Sequence, residues 1–466
     1  MADSSITRRQ AVLAGLVGTS FVRNSPAAAA HTPNIVFILC DDLGFGDLSC
    51  YGSKIQTPNL DRMAAEGMRF TNFCSADPVC SPSRAALLTG RYPTRVGVPR
   101  VFFPQDKDGL NLDEKTLADI LRVRGYKTMC VGKWHLGRPA EFLPTNRGFD
   151  AYYGIPYSND MTPRVLMRNT SVVEDNTALD TLTKRYTEQA VSFIRESKDS
   201  PFFLYLPQTF PHIPLAASAQ FRGKSSQGLY GDVVEELDWS VGEILRTLKE
   251  TGVDDNTLVM FSSDNGPWYQ GSPGKLRGRK NTTYEGGVRE PFIARWPKHI
   301  PKGRVSNAVC SMMDVFPTVA GLCGAVLPEK PLDGLDIWPI LAGRKQSLDR
   351  DPLLYFNAWD LQCARWGNWK LHVARHNTAA YVPAPPGGIH NYILPKPELY
   401  NLAVDPDESY DVAAENPDVV TRMQSKIATM IATFPEPVQR AYSESKARAV
   451  DPKTPVGGWP RPLPLK

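Results

Sequence analysis

Asn34-Ile35-Val36-Phe37-Ile38-Leu39-Cys40-Asp41-Asp42 is a continuous apolar run that stops on two carboxylates. A short run rich in β-branched and aromatic residues is the pattern of a strand buried on both faces. Residues 128–131, 202–206 and 258–262 have the same character, and helical periodicity marks 59–66, 115–124, 179–196 and 228–249. In the last of these, Tyr230, Val234, Leu237, Val241, Ile244 and Leu248 follow the i, i+3/i+4 stripe of a helix laid on a sheet. Strand–helix alternation predicts an α/β fold, a large and mainly parallel sheet flanked by helices. Ligands of such sheets bind beyond the carboxyl ends of the strands. A second apolar run ends there in Asp264-Asn265-Gly266. Asp41, Asp42, Asp264 and Asn265 together offer a hard-oxygen set suited to calcium or magnesium, unlike the nitrogen and sulfur sites of zinc.

At 466 residues the chain is too long for one small core. The texture changes near residue 350. Residues 364–373 read as a hairpin around Gly367-Asn368, and 417–434 as a closing helix. This predicts a smaller C-terminal α+β unit over 351–450, then a Pro-rich tail, 451–466. The formal charge of +4 falls to +2 without residues 1–30, which hold Arg8, Arg9 and Arg23 against Asp3. A balance that small argues against nucleic-acid binding but leaves room for a local basic pocket. Arg8-Arg9 before an apolar stretch and the Ala27–Ala30 run reads as an export signal, either twin-arginine-like or general secretory. The expectation is a bacterial protein, periplasmic or secreted, with no stable membrane insertion. Of eight cysteines, Cys40 and Cys130 read as small buried hydrophobes, and a Cys310–Cys323 disulfide is conceivable after export.

The most specific chemistry lies in Cys80-Ser81-Pro82-Ser83-Arg84-Ala85-Ala86-Leu87-Leu88-Thr89-Gly90. Cys80 reads as a turn residue, Pro82 as a helix start, and Arg84 as reaching back over the first turn. The helix N-terminus then presents N–H groups and a positive dipole end beside Cys80. Gly132-Lys133-Trp134-His135 follows a strand and sets a cation and an imidazole two residues apart. Pro211-His212-Ile213-Pro214 presents a second histidine, Leu276-Arg277-Gly278-Arg279-Lys280 another cation, and Gly154-Ile155-Pro156-Tyr157-Ser158 a hydroxyl. With C-x-P-x-R running into Leu-Thr-Gly-Arg, these segments, in order over residues 33–340, resemble the formylglycine-dependent type I sulfatases of the arylsulfatase A kind. Residues 397–413 (PELYNLAVDPDESYDVA) are similar to the same family.

The resemblance implies an alkaline-phosphatase-like catalytic domain over 31–350 that hydrolyses sulfate monoesters, of sulfated carbohydrate or of aryl alcohols. It implies calcium, or alternatively magnesium, on Asp41, Asp42, Asp264 and Asn265. Cys80 would be oxidised by a formylglycine-generating enzyme. Arg84 and Lys133 would hold the hydrated aldehyde and its charge, and His135 would be the base that regenerates the aldehyde. Lys280 and His212 would bind the sulfate near the leaving oxygen, and Ser158 would hydrogen-bond in the pocket. Cys40 stands where a small apolar residue is commoner, with no effect expected. The chemistry makes these types necessary: a sulfate monoester repels nucleophiles until a metal and cations neutralise its oxygens. One hydroxyl of a hydrated aldehyde attacks sulfur, and loss of the other's proton releases sulfate, a second step that serine lacks. Two rival readings stay open, a phosphonate monoester or phosphodiester hydrolase of the same superfamily and a catalytically silent glycan-binding relative. Trp268, Arg164, His376 and His390 lie in loop-like segments where a sugar and its charges could be read.

Overall fold

A computed structural model describes residues 32–377 and 391–449. The export signal, the tail 451–466 and His390 lie outside the described residues. The strands, in chain order, are β1 (Asn34–Cys40), β2 (Met68–Cys74), β3 (Lys127–Val131), β4 (Ala151–Gly154), β5 (Val165–Arg168), β6 (Ser171–Asp175), β7 (Phe202–Pro207), β8 (Thr257–Ser263), β9 (Arg289–Arg295), β10 (Arg304–Ser306) and β11 (Cys310–Ser311). All belong to one sheet in the order β10-β2-β9-β8-β1-β7-β3-β4-β5-β6, with β11 beside β2. Its centre, β8-β1-β7-β3-β4, is parallel. The margins are not: β9 runs against both β8 and β2, and β5 and β6 fold back antiparallel. The sheet is therefore mixed around a parallel core.

Every residue of β1 is buried. Ile35, Phe37 and Leu39 pack into one core, and Val36, Ile38 and Cys40 into a second on the opposite face. That division is the period-2 consequence of the opening run. The second core is closed by α1 (Pro58–Glu66) and by two long helices, 182–197 and 228–250, the last burying the predicted Val234, Leu237, Val241, Ile244 and Leu248. The first core is closed by α2 (Cys80–Thr89), α3 (Leu117–Val123) and a helix at 315–322.

Helix α2 starts at Cys80 itself, two residues before the proline. The first four N–H groups of a helix have no intrahelical partner, so Pro82 fits the third position as well as the first. All ten residues of α2 are buried. Gly132 has φ +131°, and a Cβ there would sit 1.9 Å from the Pro207 carbonyl oxygen. Only glycine lets the β3 exit approach β7 so closely and turn Lys133 inward. No disulfide joins Cys310 and Cys323; both are buried free thiols, as are Cys40 and Cys130. Burial pushes the Cys40 and Cys130 thiols well above the usual range, in keeping with inert hydrophobes.

The C-terminal region forms a separate antiparallel sheet of β12 (Leu353–Asn357), β13 (Asp360–Trp366), β14 (Trp369–His376) and β15 (Asn391–Asn401). Trp366 pairs with Trp369 across the predicted Gly367-Asn368 turn. The expected closing helix spans 417–431, and a further helix over 436–449 was not legible. Buried charges fasten this sheet to the large one. Glu285 pairs with Arg289 (2.5 Å), Arg365 (2.7 Å) and Lys370 (3.0 Å), while Glu408 pairs with Lys370 (3.3 Å) and His372 (2.6 Å). The Glu285 N–H donates to Glu408 at 2.6 Å. Against burial, Arg289, Arg365 and Lys370 hold Glu285 far below the usual carboxylate range. Removing one member leaves its partners buried and uncompensated. Glu408→Ala should therefore cost about 3–5 kcal/mol in urea unfolding, and a loss below about 1 kcal/mol would show that the network does not fasten the two sheets.

Candidate active site

The carboxyl ends of β1 and β8 lie side by side, with Cys40 in register with Ser263. Asp41, Asp42, Asp264 and Asn265 therefore meet at one edge, each at most 1% exposed. Three buried carboxylates require countercharge, and three elements deliver it. Arg84 extends from α2 to the strand ends, beyond the first turn it was expected to cover. Its Nε donates to Asp264 (2.9 Å), Nη1 to the Lys133 carbonyl (2.8 Å), and Nη2 lies 3.4 Å from Asp41. Lys133, after β3, pairs closely with Asp41 and donates to Ser158 Oγ at 3.1 Å. Lys280, on the segment before Glu285, lies 2.8 Å from Asp42 and donates to Cys80 Sγ at 3.3 Å. Cys80 Sγ is 3.4 Å from Asp41 Oδ1. All eleven residues singled out for the site thus stand in or beside one cluster, His135 and His212 included.

The electrostatics follow from this crowding. Against burial, Lys133, His212 and Arg84 hold Asp41 well below the usual range, whereas burial and Asp41 push Asp264 up to about 7. Against burial, Asp42 keeps Lys280 charged. Burial and Asp41 push the Cys80 thiol far up. Burial and Lys133 keep His135 neutral, and burial and Lys280 do the same for His212. His135 Nε2 donates to the Phe102 carbonyl at 2.9 Å, leaving Nδ1 as a buried lone pair with no hydrogen-bond partner. His212 Nδ1 donates to the Ile213 carbonyl at 2.6 Å, which turns its Nε2 towards Asp42, 3.7 Å away. Asp42 and His135 both hold φ +63°, the left-handed region that a side chain enters at a cost of about 1–3 kcal/mol.

The residues present fit a hard divalent cation. Asn265 Nδ2 donates to Asp42 (2.7 Å) and to the Gly266 carbonyl (2.9 Å), which fixes the amide and leaves buried Oδ1 without a donor. That acceptor and three carboxylates could hold calcium or magnesium. A second set, Asp41, Asp42, Cys80 and His212, has ligand atoms within 4.8 Å of one another. It is the weaker set for calcium or magnesium, because a thiol and an imidazole are softer donors than the oxygens these ions prefer.

A cavity of about 570 Å³ opens over this floor, reaching Cys80, His135, Ser158, His212 and Lys280. Its walls come from residues 99–106, 158–161 and the C-terminal strands β12 to β14. Of the four specificity candidates, His376 lines the cavity. Trp268 does not. Neither does Arg164, whose guanidinium is spent on the Thr177 and Asn159 carbonyls and Asn176 Oδ1. Sequence reading missed Arg100, Phe103, Asp106 and Gln362, since loop residues without a motif carry no signal of where they fold.

The oxygen set makes a direct prediction. Adding calcium to metal-stripped protein should raise its melting temperature, with a gain of about 2.7 kcal/mol at a hundredfold excess over Kd. Asp264→Asn should abolish most of that gain; an unchanged melting curve in the unsubstituted protein would rule the set out.

A sulfatase family model matches residues 33–325, and one for the C-terminal region of aryl-sulfatase matches 348–455. Human arylsulfatase A is 39% identical over 444 residues, which cover 85% of this chain and 87% of that one. N-acetylgalactosamine-6-sulfatase from Rattus norvegicus is 42% identical over 381 residues, 74% and 72% of the two chains. Among solved structures, one described with the metabolism of multiple glycosaminoglycans by Bacteroides thetaiotaomicron superposes with TM-score 0.77 at 31% identity, covering 86% of this chain and 99% of its own. The strand-end acids, the cysteine helix and the whole-length matches together establish that the chain belongs to the sulfatase family, the sulfuric ester hydrolases.

Proposed function

We propose that the protein hydrolyses sulfate monoesters of carbohydrate-like or aryl alcohols at the Cys80 site, after export from the cell that makes it. The observation that carries this is Cys80 Sγ on the cavity floor, between Lys280 Nζ at 3.3 Å and Asp41 Oδ1 at 3.4 Å. A formylglycine made from Cys80 by a formylglycine-generating enzyme would supply the two-hydroxyl nucleophile, and calcium on the oxygen set would polarise the sulfate. Lys280 and Lys133 bring positive charge to the ester oxygens, and Ser158, held by Lys133, offers a further hydrogen bond. Lys280 stands beside Cys80 and would donate to the oxygen that departs. His212, neutral with Nδ1–H fixed on Ile213, turns Nε2 to the same space and gains proton affinity when the anionic ester arrives. His135 offers Nδ1, its lone pair free to take the proton whose loss releases sulfate.

Protein expressed with the modifying enzyme should release sulfate from 4-nitrophenyl sulfate and show the aldehyde in place of the Cys80 thiol by peptide mass. Cys80→Ala should lose that activity while keeping its melting temperature; a fully active variant would overturn the assignment. Lys280→Ala and His212→Ala are separated from His135→Ala by leaving-group dependence. Loss of an acid should slow poorly departing alcohols about 10²–10⁴-fold and nitrophenolate far less. Loss of the base should slow all substrates to one common turnover, with sulfated enzyme accumulating. A flat dependence for both Lys280→Ala and His212→Ala would leave them as anion binders only.

A further inference from the structure

We propose that the cavity above the sulfate clamp selects esters carrying one sulfate on an otherwise uncharged ring, and turns away substrates with a second anionic group beside it. This rests on the sulfate-ester reading of the same site. The inference comes from where the cavity's charges are spent. Among the described residues lining it, Arg100 is the one cation above the floor formed by Lys280 and the two histidines. Arg100 is committed to its own loop. Its Nη1 donates to Asp106 at 2.6 Å and to the Val101 carbonyl at 3.0 Å, and Nη2 lies 3.4 Å from Asp108. The Phe103 N–H donates to the same Asp106 oxygen at 2.7 Å, so the pair closes the loop and leaves no net positive charge for a ligand.

The remaining titratable walls add none. Asp77 is buried, and burial pushes its carboxyl well above the usual range. Burial also lowers His376 to about 4, so the imidazole is neutral in ordinary buffers. Asp160, at the rim, is exposed. The mouth thus carries an unbalanced carboxylate directly above a floor that attracts anions. Between them Val101, Met161 and Phe356 give the cavity apolar wall, with Phe103 at its edge, 44% exposed, and Gln105, Asn281, Asn357 and Gln362 add only uncharged amides. An aromatic side chain offered at a cavity mouth fits the apolar face of a ring, whether sugar or aryl. A second sulfate or a carboxylate on that ring would face Asp160 with no unpaired cation on the described walls to meet it.

The test compares 4-nitrophenyl sulfate, an N-acetylhexosamine 6-sulfate and the corresponding 4,6-disulfate on formylglycine-bearing, calcium-loaded enzyme. The disulfate should show kcat/KM at least about tenfold below the monosulfate at low salt, mostly through KM, and the gap should narrow as salt rises. Asp160→Lys should recover at least about threefold of that gap, read as the ratio of kcat/KM for the disulfate to that for the monosulfate. A disulfated sugar that matches or exceeds the monosulfate, or an Asp160→Lys variant with an unmoved ratio, overturns the proposal while leaving the hydrolase intact. If all three esters, nitrophenyl sulfate included, survive the enzyme, the sulfate-ester reading itself falls and takes this proposal with it.

Discussion

Three carboxylates buried side by side are the constraint on which the rest of the molecule depends. Taking one ion out of water costs several kcal/mol even after relaxation, and three of like charge multiply the cost. Arg84, Lys133 and Lys280 offset it, one from helix α2, one from the β3 exit and one from the segment preceding Glu285. None can move without unbalancing the others, since Arg84 also holds the Lys133 carbonyl. The set is formally neutral as it stands. A divalent ion on the oxygen donors would tip the floor positive, which is the condition an approaching ester anion needs. Burial and the same crowding keep His135 uncharged, as the proposed proton acceptor must be.

The C-terminal sheet is part of this arrangement. Glu408 and Lys370 hold Glu285, and Glu285 ends the stretch that brings Lys280 to Asp42. Asn281 N–H bonds to the Pro78 carbonyl just ahead of Cys80, so the stretch is tied at both ends. Phe102 makes a comparable tie through one residue's backbone: its N–H bonds to Ser81 Oγ, on the Cys80 helix, and its carbonyl to His135. Cys80, His135 and the cavity wall are thereby held in one frame.

How much of this was legible in the sequence depended on whether a local pattern encoded it. β1, β7 and β8 declared themselves because strands buried on both faces need unbroken apolar runs. The marginal strands β5, β6, β9 and β10 are partly solvated or charged, as Arg289-Glu290 illustrates, and gave no such run. Floor residues were readable because each follows a strand or begins a helix, where backbone geometry dictates direction. The helix start was misplaced by two residues because proline is tolerated throughout a first turn. Arg164 looked available because its partners, the Thr177 and Asn159 carbonyls, are backbone atoms with no sequence signature. The Glu285–Glu408 network joins residues over a hundred positions apart, and no spacing foretells it.

The floor stands on the ends of central strands, fixed by buried ion pairs, whereas the walls come from residues 99–106, 158–161 and the C-terminal strands β12 to β14. Phe103 and Asp160, both exposed, can each be replaced without touching a buried charge or the core. Such a division lets substrate preference drift by single substitutions while the hydrolytic machinery is inherited unchanged, so relatives of one ancestry can come to serve chemically distant esters. Specificity in this architecture is cheap to rewrite, and catalysis is not.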